Sequence, residues 1–257
     1  MTNLEITDKI KNYIYPIVTF ISILIVWQFI VVSYNVPQYL MPSPTDIIEV
    51  FFTDNTNLQM HAMVTLKESL LGFIFSIILA LTIGTIMDFI PIVKKCFYPL
   101  MLVSQMIPTI TIAPLLIIWF GFDSLPKIIM VIATCFFPIL INFVDGIENI
   151  DKDYLNLFKT MDASKLKTFI HLKLPMSLES LFTGLKISAT YAFVSATVAE
   201  WLGGSIGLGV YMVRAKSAYA LDKVFASTIL VIVFSLMFVM IVNILKKIML
   251  RHKYKGE

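Results

Sequence analysis

Six stretches of this 257-residue chain are apolar and nearly free of charge over lengths that suit a membrane crossing. Spanning about 30 Å of hydrocarbon takes about 20 helical residues. The spans are expected at 16–34, 67–87, 98–120, 127–145, 180–201 and 224–246, with a hydrophilic segment at 148–175 between the fourth and fifth. The fifth is the shortest in charge-free length, because only Ile187 to Ala199 lie between Lys186 and Glu200. None alternates with the period of two that a lipid-facing strand requires, so the reading is a helical bundle of the inner or plasma membrane and not an outer-membrane barrel. The composition agrees: 58% of residues are apolar, 14% are charged, and the mean hydropathy is +0.85. A water-soluble domain uses about 25% charged residues. Disorder is excluded by the same imbalance. With 20 Lys and Arg against 17 Asp and Glu, the net charge of +3 leaves no unclustered footprint for nucleic acid, and none is expected as a partner.

The basic residues set the orientation. Lys9 and Lys11, Lys94 and Lys95, the five lysines from Lys152 to Lys173, and Lys246, Lys247, Arg251, Lys253 and Lys255 fall on one side. Lys67, Lys127, Arg214, Lys216 and Lys223 fall on the other, and Lys186 can snorkel from the inner end of the fifth span. The richer side is cytoplasmic, which places both termini inside. Trp119 and Trp201 then fall at outer span ends, where an aromatic belt sits. The first span is read as a retained helix and not a cleaved leader, since no alanine precedes Ala62 and no small-x-small site follows it. Cys96 and Cys135, each beside or inside an apolar run, read as small buried hydrophobes and not as a metal site or a disulfide framework.

Between the fourth and fifth spans, Ile150, Tyr154, Leu157, Phe158 and Met161 recur at helical spacing, with Asp151, Asp153, Asn156 and Lys159 on the other faces. After the turn-prone Asp162-Ala163-Ser164, a second pattern places Leu166, Phe169 and Ile170 against Lys165, Lys167 and Lys173, and it ends at Leu174-Pro175. Ser164 is the expected N-cap of this second helix. Two short helices joined by a tight turn make either a lever for a cytoplasmic partner or a basic hairpin lying on anionic headgroups, and pattern alone leaves both open. On the outer side, Pro42-Ser43-Pro44 leads into a surface helix with Thr45 as its expected cap. Also outside, Gly203, Gly204, Gly207 and Gly209 permit a tight turn or a close backbone approach.

No Gly-x-x-x-x-Gly-Lys-Ser/Thr phosphate loop occurs, so the chain is read as a transport subunit without an ATPase motif of its own and not as an enzyme. His61, His171 and His252 lie far apart, and neither His-Glu-x-x-His nor Gly-x-Ser-x-Gly is present, so no catalytic residue, metal site or cofactor is assigned. Polar groups at membrane depth are costly and mark either helix packing or a path for solute. Gln105, Thr109, Asn142, Ser195 and Glu200 are the candidates, together with Pro108, which frees a backbone carbonyl at depth.

The segment from Asp151 through Ser164, followed by Leu172-Lys173-Leu174-Pro175, resembles the coupling loop of ABC importer permeases. That loop reads Glu-Ala-Ala, three residues, Gly, about nine residues, then Ile-x-Leu-Pro. Leu172, Leu174 and Pro175 match its end, and Ala163 and Ser164 follow the glycine position. Asn156-Leu157-Phe158 replaces Glu-Ala-Ala, and Asp162 stands for the glycine, whose left-handed conformation Asp can adopt at some cost. Leu40-Met41-Pro42-Ser43-Pro44, Pro108-Thr109-Ile110-Thr111-Ile112-Ala113-Pro114 with Trp119-Phe120-Gly121, and Ala199-Glu200 with Gly207-Leu208-Gly209 are similar to the nitrate, sulfonate and taurine permeases of that family.

The resemblance implies an all-α permease fold that forms the path for a small solute such as nitrate, a sulfonate, taurine or a pyrimidine vitamin precursor. It implies a second permease copy, two cytoplasmic ATPase subunits and an extracytoplasmic substrate-binding protein. ATPase coupling would fall to Asp151, Tyr154, Asn156, Leu157, Phe158, Asp162, Ala163, Ser164, Leu172, Leu174 and Pro175. The rivals are an integral membrane enzyme, for which the spans lack an acidic Mg²⁺ cluster, and a partner-independent carrier, which should show an internal repeat.

Overall fold

The computed structural model describes residues 3–250, with side chains from Ile14 onward. Lys9, Lys11, Arg251, His252, Lys253 and Lys255, on which part of the orientation argument rests, lie outside the described side chains. The described residues are mostly helical, joined by short turns and loops, and include no strand. Among the described residues, five helices are long and apolar enough to cross a membrane: α1 (Asn3–Ser33, from Ile14), α3 (Asn55–Phe89), α6 (Ser124–Glu148), the run Lys165–Leu202 that ends in α9 (Leu174–Leu202), and α11 (Leu221–Met249). The expected third span takes a different form. Helices α4 (Pro91–Ser104) and α5 (Thr109–Phe120) meet at 99° across a short break. Pro108 caps α5 and has no amide to continue a helix, which explains why the chain turns there.

The chain divides into two compact units, Met1–Gln59 with Tyr211–Ile229, and Met60–Val210 with Leu230–Glu257. In the first, Ile47 and Val50 of α2 (Pro44–Thr53) bury against Ala226, with Trp27 and Phe51 beside them. The cap of α2 is Ser43 and not Thr45. Pro44 occupies the first turn, Ser43 Oγ accepts the Asp46 amide at 3.3 Å, and the Ser43 amide donates back to Asp46 at 2.8 Å. Thr45 is thereby free to meet α1, where its hydroxyl accepts from Gln28 Nε2 at 3.0 Å.

The core of the second unit is made by Phe73, Ala80 and Met87 of α3, Cys135 through Ile147 of α6, and Leu181 through Ala196 of α9. Lipid supplies no hydrophobic drive between helices, so such a pair is held by close packing and by hydrogen bonds. Both occur between α6 and α9. Ser188 Oγ donates to the Cys135 carbonyl at 2.8 Å, and Ser195 Oγ lies 2.9 Å from Thr134 Oγ1. A Cβ on Gly184 would lie 2.5 Å from the Pro138 carbonyl oxygen, so the backbones touch at this level. Cys135 is buried as expected, whereas Cys96 is exposed on α4. Gly184→Ala should force α6 and α9 apart and cost about 1–3 kcal/mol. Thermal unfolding in detergent would read this as a lowered midpoint.

Candidate functional site

Two constellations in the second unit hold the hairpin residues and Glu200, which the sequence singled out. The first is the hairpin between α6 and α9. Helix α7 (Lys152–Thr160) starts at Asp151, whose Oδ1 accepts the Asp153 amide at 3.0 Å, and ends in a left-handed residue, Asp162, at φ 51°. The Ala163 amide returns to the Phe158 carbonyl at 3.0 Å, and the Asp162 amide to the Lys159 carbonyl at 3.0 Å. That is the double closure usually built on glycine. Ser164 Oγ then accepts the Lys167 amide at 3.3 Å and opens α8 (Lys165–Thr168).

The second arm does not stop at Leu174-Pro175. It continues through a wide turn over Phe169–Lys173 directly into α9. Leu174 donates to Phe169, five residues back, and Pro175 sits in the first turn of α9 without an amide to donate. Leu172 is buried, Leu174 is half-buried and Pro175 is exposed. Tyr154, Leu157, Met161, Leu166 and Ile170 are exposed on the hairpin, Asn156 is exposed beside them, and Phe158 and Ala163 are half-buried. The base of the hairpin is pinned by Lys173 Nζ on Asp88 at 2.6 Å and by the Phe89 and Phe169 rings at 5.3 Å.

The second constellation is a latch on the glycine loop that leads into α10 (Leu208–Ser217). Three successive amides at the start of this helix need acceptors. Gly207 donates to His61 Nδ1 at 2.9 Å, Leu208 to Thr65 Oγ1 at 2.8 Å, and Gly209 to Glu200 Oε2 at 2.6 Å. Thr65 closes the set by donating to Glu200 Oε1 at 2.7 Å. Glu200 is 1% exposed and Glu68 2%. Gly207 has φ 140°, and a Cβ there would collide with the Glu200 carboxylate, so no other residue fits.

Sequence reasoning singled out Glu200 and missed its partners. The signal was available: His61, Thr65 and Glu68 form a stripe at i, i+4 and i+7 along one face of α3. The structure does not bring the expected path residues to one place. Gln105 and Pro108 are exposed and Thr109 is half-buried at the α4–α5 bend. Asn142 is half-buried and donates to the Pro138 carbonyl at 2.8 Å within α6. Ser195 is buried and also donates to the Met130 carbonyl at 3.2 Å.

In the first unit, Asp54 is a further polar centre that the sequence did not reveal. It accepts from Asn57 at 2.7 Å, Tyr211 at 2.9 Å and Lys223 at 2.7 Å. Burial pushes its carboxyl up, but the hydrogen bonds from Lys223, Asn57 and Tyr211 outweigh this and hold it below its ordinary 3.8.

Among the described residues, helices without strands, five of them long and apolar enough to cross a membrane or six with the bent pair as one span, and an ordered polar hairpin between two of them define a polytopic membrane protein. Residues 72–252 match the family of the binding-protein-dependent transport system inner membrane component, and the chain belongs to that family. It is the permease component of binding-protein-dependent ABC transport, in a family of inner-membrane components. A protein of Haemophilus influenzae described as "Probable ABC transporter permease protein" is 33% identical over 214 residues, 83% of this chain and 87% of that one. The formylaminopyrimidine transport permease protein ThiX of Halalkalibacterium halodurans is 33% identical over 219 residues, 82% and 84% of the two chains. The riboflavin transport system permease protein RibX of Chloroflexus aurantiacus is 27% identical over 236 residues, 91% and 88% of the two chains.

Glu200→Ala strands the Gly209 amide in a buried site, leaves the Thr65 hydroxyl only its longer bond to the His61 carbonyl, and should destabilise the second unit by about 1–3 kcal/mol. Hydrogen exchange should accelerate first at the amides of residues 207–209. Asp54 follows the sign of a depressed carboxylate: its contribution is present above pH about 4 and is lost as pH falls through the lowered folded value. The stability deficit of Asp54→Asn, measured by unfolding across pH, should therefore be full at neutral pH and shrink below pH about 4.

Proposed function

We propose that this permease is driven by two cytoplasmic ATPase subunits that dock on the hairpin, and that it works as a pair with a second permease copy. In this reading both termini are cytoplasmic, and the binding protein delivers solute from the opposite side. The observation that carries it is the exposed apolar stripe of Tyr154, Leu157, Met161, Leu166 and Ile170 on an otherwise polar, charged hairpin. Five large apolar side chains left open on so short an element fit a partner that covers them. Asp151, Asp162, Ala163 and Ser164 set the caps and turn that hold this stripe in register, and Asn156 and Phe158 flank it. Leu172, Leu174 and Pro175 transmit its motion, because the second arm and α9 are one continuous helix. A lever rigidly joined to a crossing helix can rock that helix when the partner closes.

For the solute path, Gln105, Pro108 and Thr109 at the α4–α5 bend are the proposed lining, with Asn142, Ser195 and Glu200 shaping its wall through the helices that they hold. The bend supports this reading, since it leaves polar side chains at a break inside an apolar stretch. The solute is placed in the class of nitrate, sulfonates, taurine and pyrimidine vitamin precursors. The likeness to a formylaminopyrimidine permease puts pyrimidines first for screening.

Copurification of the tagged chain from its native membranes tests the docking. Leu157→Asp with Met161→Asp should lower ATPase recovery by about 2 kcal/mol of docking free energy, roughly thirtyfold, while the chain stays in the membrane. Undiminished recovery of an ATPase would overturn the assignment of the hairpin.

A further inference from the structure

The hairpin has a second side. Away from the exposed apolar stripe, Leu155, Lys159 and Ala163 turn toward the end of α3 and the start of α4 and, with Lys165 and Lys173, enclose a cavity of about 350 Å³. That volume lies at the lower end of the range for small-ligand sites. Its ionisable lining is three lysines and one aspartate, and Asp88 is matched by Lys173 at 2.6 Å. Lys159 and Lys165 form none of the ion pairs found among the described residues, so the cavity carries uncompensated positive charge. Its remaining wall is apolar except for Thr168 and includes Phe89 and Pro91.

The location restricts what such a site can meet. Phe89 is the last residue of one crossing helix, and Lys173 immediately precedes the apolar course of another. A basic rim over an apolar wall at the ends of crossing helices has the chemistry of an anionic headgroup site. A free phosphate would use the lysines and leave the apolar wall unpaired. A phosphodiester that carries glycerol and the roots of acyl chains would use both.

We propose that this cavity is a binding site for the phosphodiester headgroup of an anionic phospholipid, held by Lys159 and Lys165 and wedged between the hairpin and the end of α3. The inference rests on the proposed placement of the hairpin at the cytoplasmic membrane surface, but not on ATPase docking, which uses the other face. Bound there, the lipid braces the hairpin from behind, so membrane composition would set how firmly the lever is held.

The test uses the full-length chain without its ATPase, so failed docking cannot be mistaken for failed lipid binding. The chain is placed in phosphatidylcholine nanodiscs with and without phosphatidylglycerol, and retained lipid is counted by native mass spectrometry after release into mild detergent. The unaltered chain should retain phosphatidylglycerol at one site. Lys159→Gln with Lys165→Gln should bind it at least about tenfold more weakly, and Lys159→Arg with Lys165→Arg should retain it. Lys152→Gln with Lys167→Gln removes the same charge from exposed hairpin positions outside the cavity and should leave retention within about twofold. Equal losses in both glutamine pairs would reduce the effect to diffuse surface attraction and overturn the site. Equal retention in all variants would overturn it as well. Displacement of the lipid by inorganic phosphate would reassign the cavity to a free anion.

Discussion

The close contact of α6 with α9 is the constraint on which the second unit depends. In hydrocarbon, apolar side chains gain little by leaving lipid for a neighbouring helix, so association relies on backbones close enough to pack densely and on shared hydrogen bonds. Gly184 lets α9 ride against the Pro138 and Ile139 backbone, and the Ser188–Cys135 and Ser195–Thr134 pairs fasten the helices further toward the end of α9 and the start of α6. Those contacts fix α9, and α9 presents working groups at both of its ends. Glu200 sits near its last turn, and the hairpin arm runs into its first.

Each end solves a backbone problem that the membrane makes more severe. At the glycine loop, the first amides of α10 find acceptors on His61, Thr65 and Glu200 and not in water. At the hairpin end, Pro175 removes an amide, and the helix widens by one residue instead of breaking. The continuity that results matters for transport. A broken arm could move without the span, whereas an unbroken one carries any displacement of the hairpin into α9. The charged ties at its base, Lys173 to Asp88 and Lys94 to Glu148, hold the hairpin to α3 and hold α4 to α6.

Much of the candidate site was legible because local rules govern it. Ser164 as a cap, the amphipathic course of α7, and Asp162 in a left-handed turn all follow from short-range spacing and side-chain chemistry, whereas the capping role of Asp151 was not read from its place on a polar face. The capping of α2 was misread locally, since Thr45 and Ser43 are both competent caps. Only the position of Pro44 in the first turn decides between them. The end of the second hairpin arm was misread because Leu-Pro ordinarily signals a stop, and a single wide turn accommodates the same proline inside a longer helix. The glycine latch was half legible: Glu200 stood out by its cost at depth, while His61 and Thr65 become its companions only through pairings more than a hundred residues apart.

The sequence by itself determined that the chain crosses a membrane as helices, roughly where it does so, and that an ordered amphipathic hairpin separates two of the spans. Apolar run length, period and caps are properties of contiguous residues, and a bilayer leaves the backbone few alternatives. The tertiary structure decided which polar groups are spent on holding helices together and which are left open. It turned Ser195 and Glu200 inward, left Gln105 at an exposed bend, split the third apolar run into two helices, and set a basic cavity behind the hairpin. Those outcomes depend on which faces meet across long sequence separations, and the burial of a polar side chain is decided by the partner it finds there.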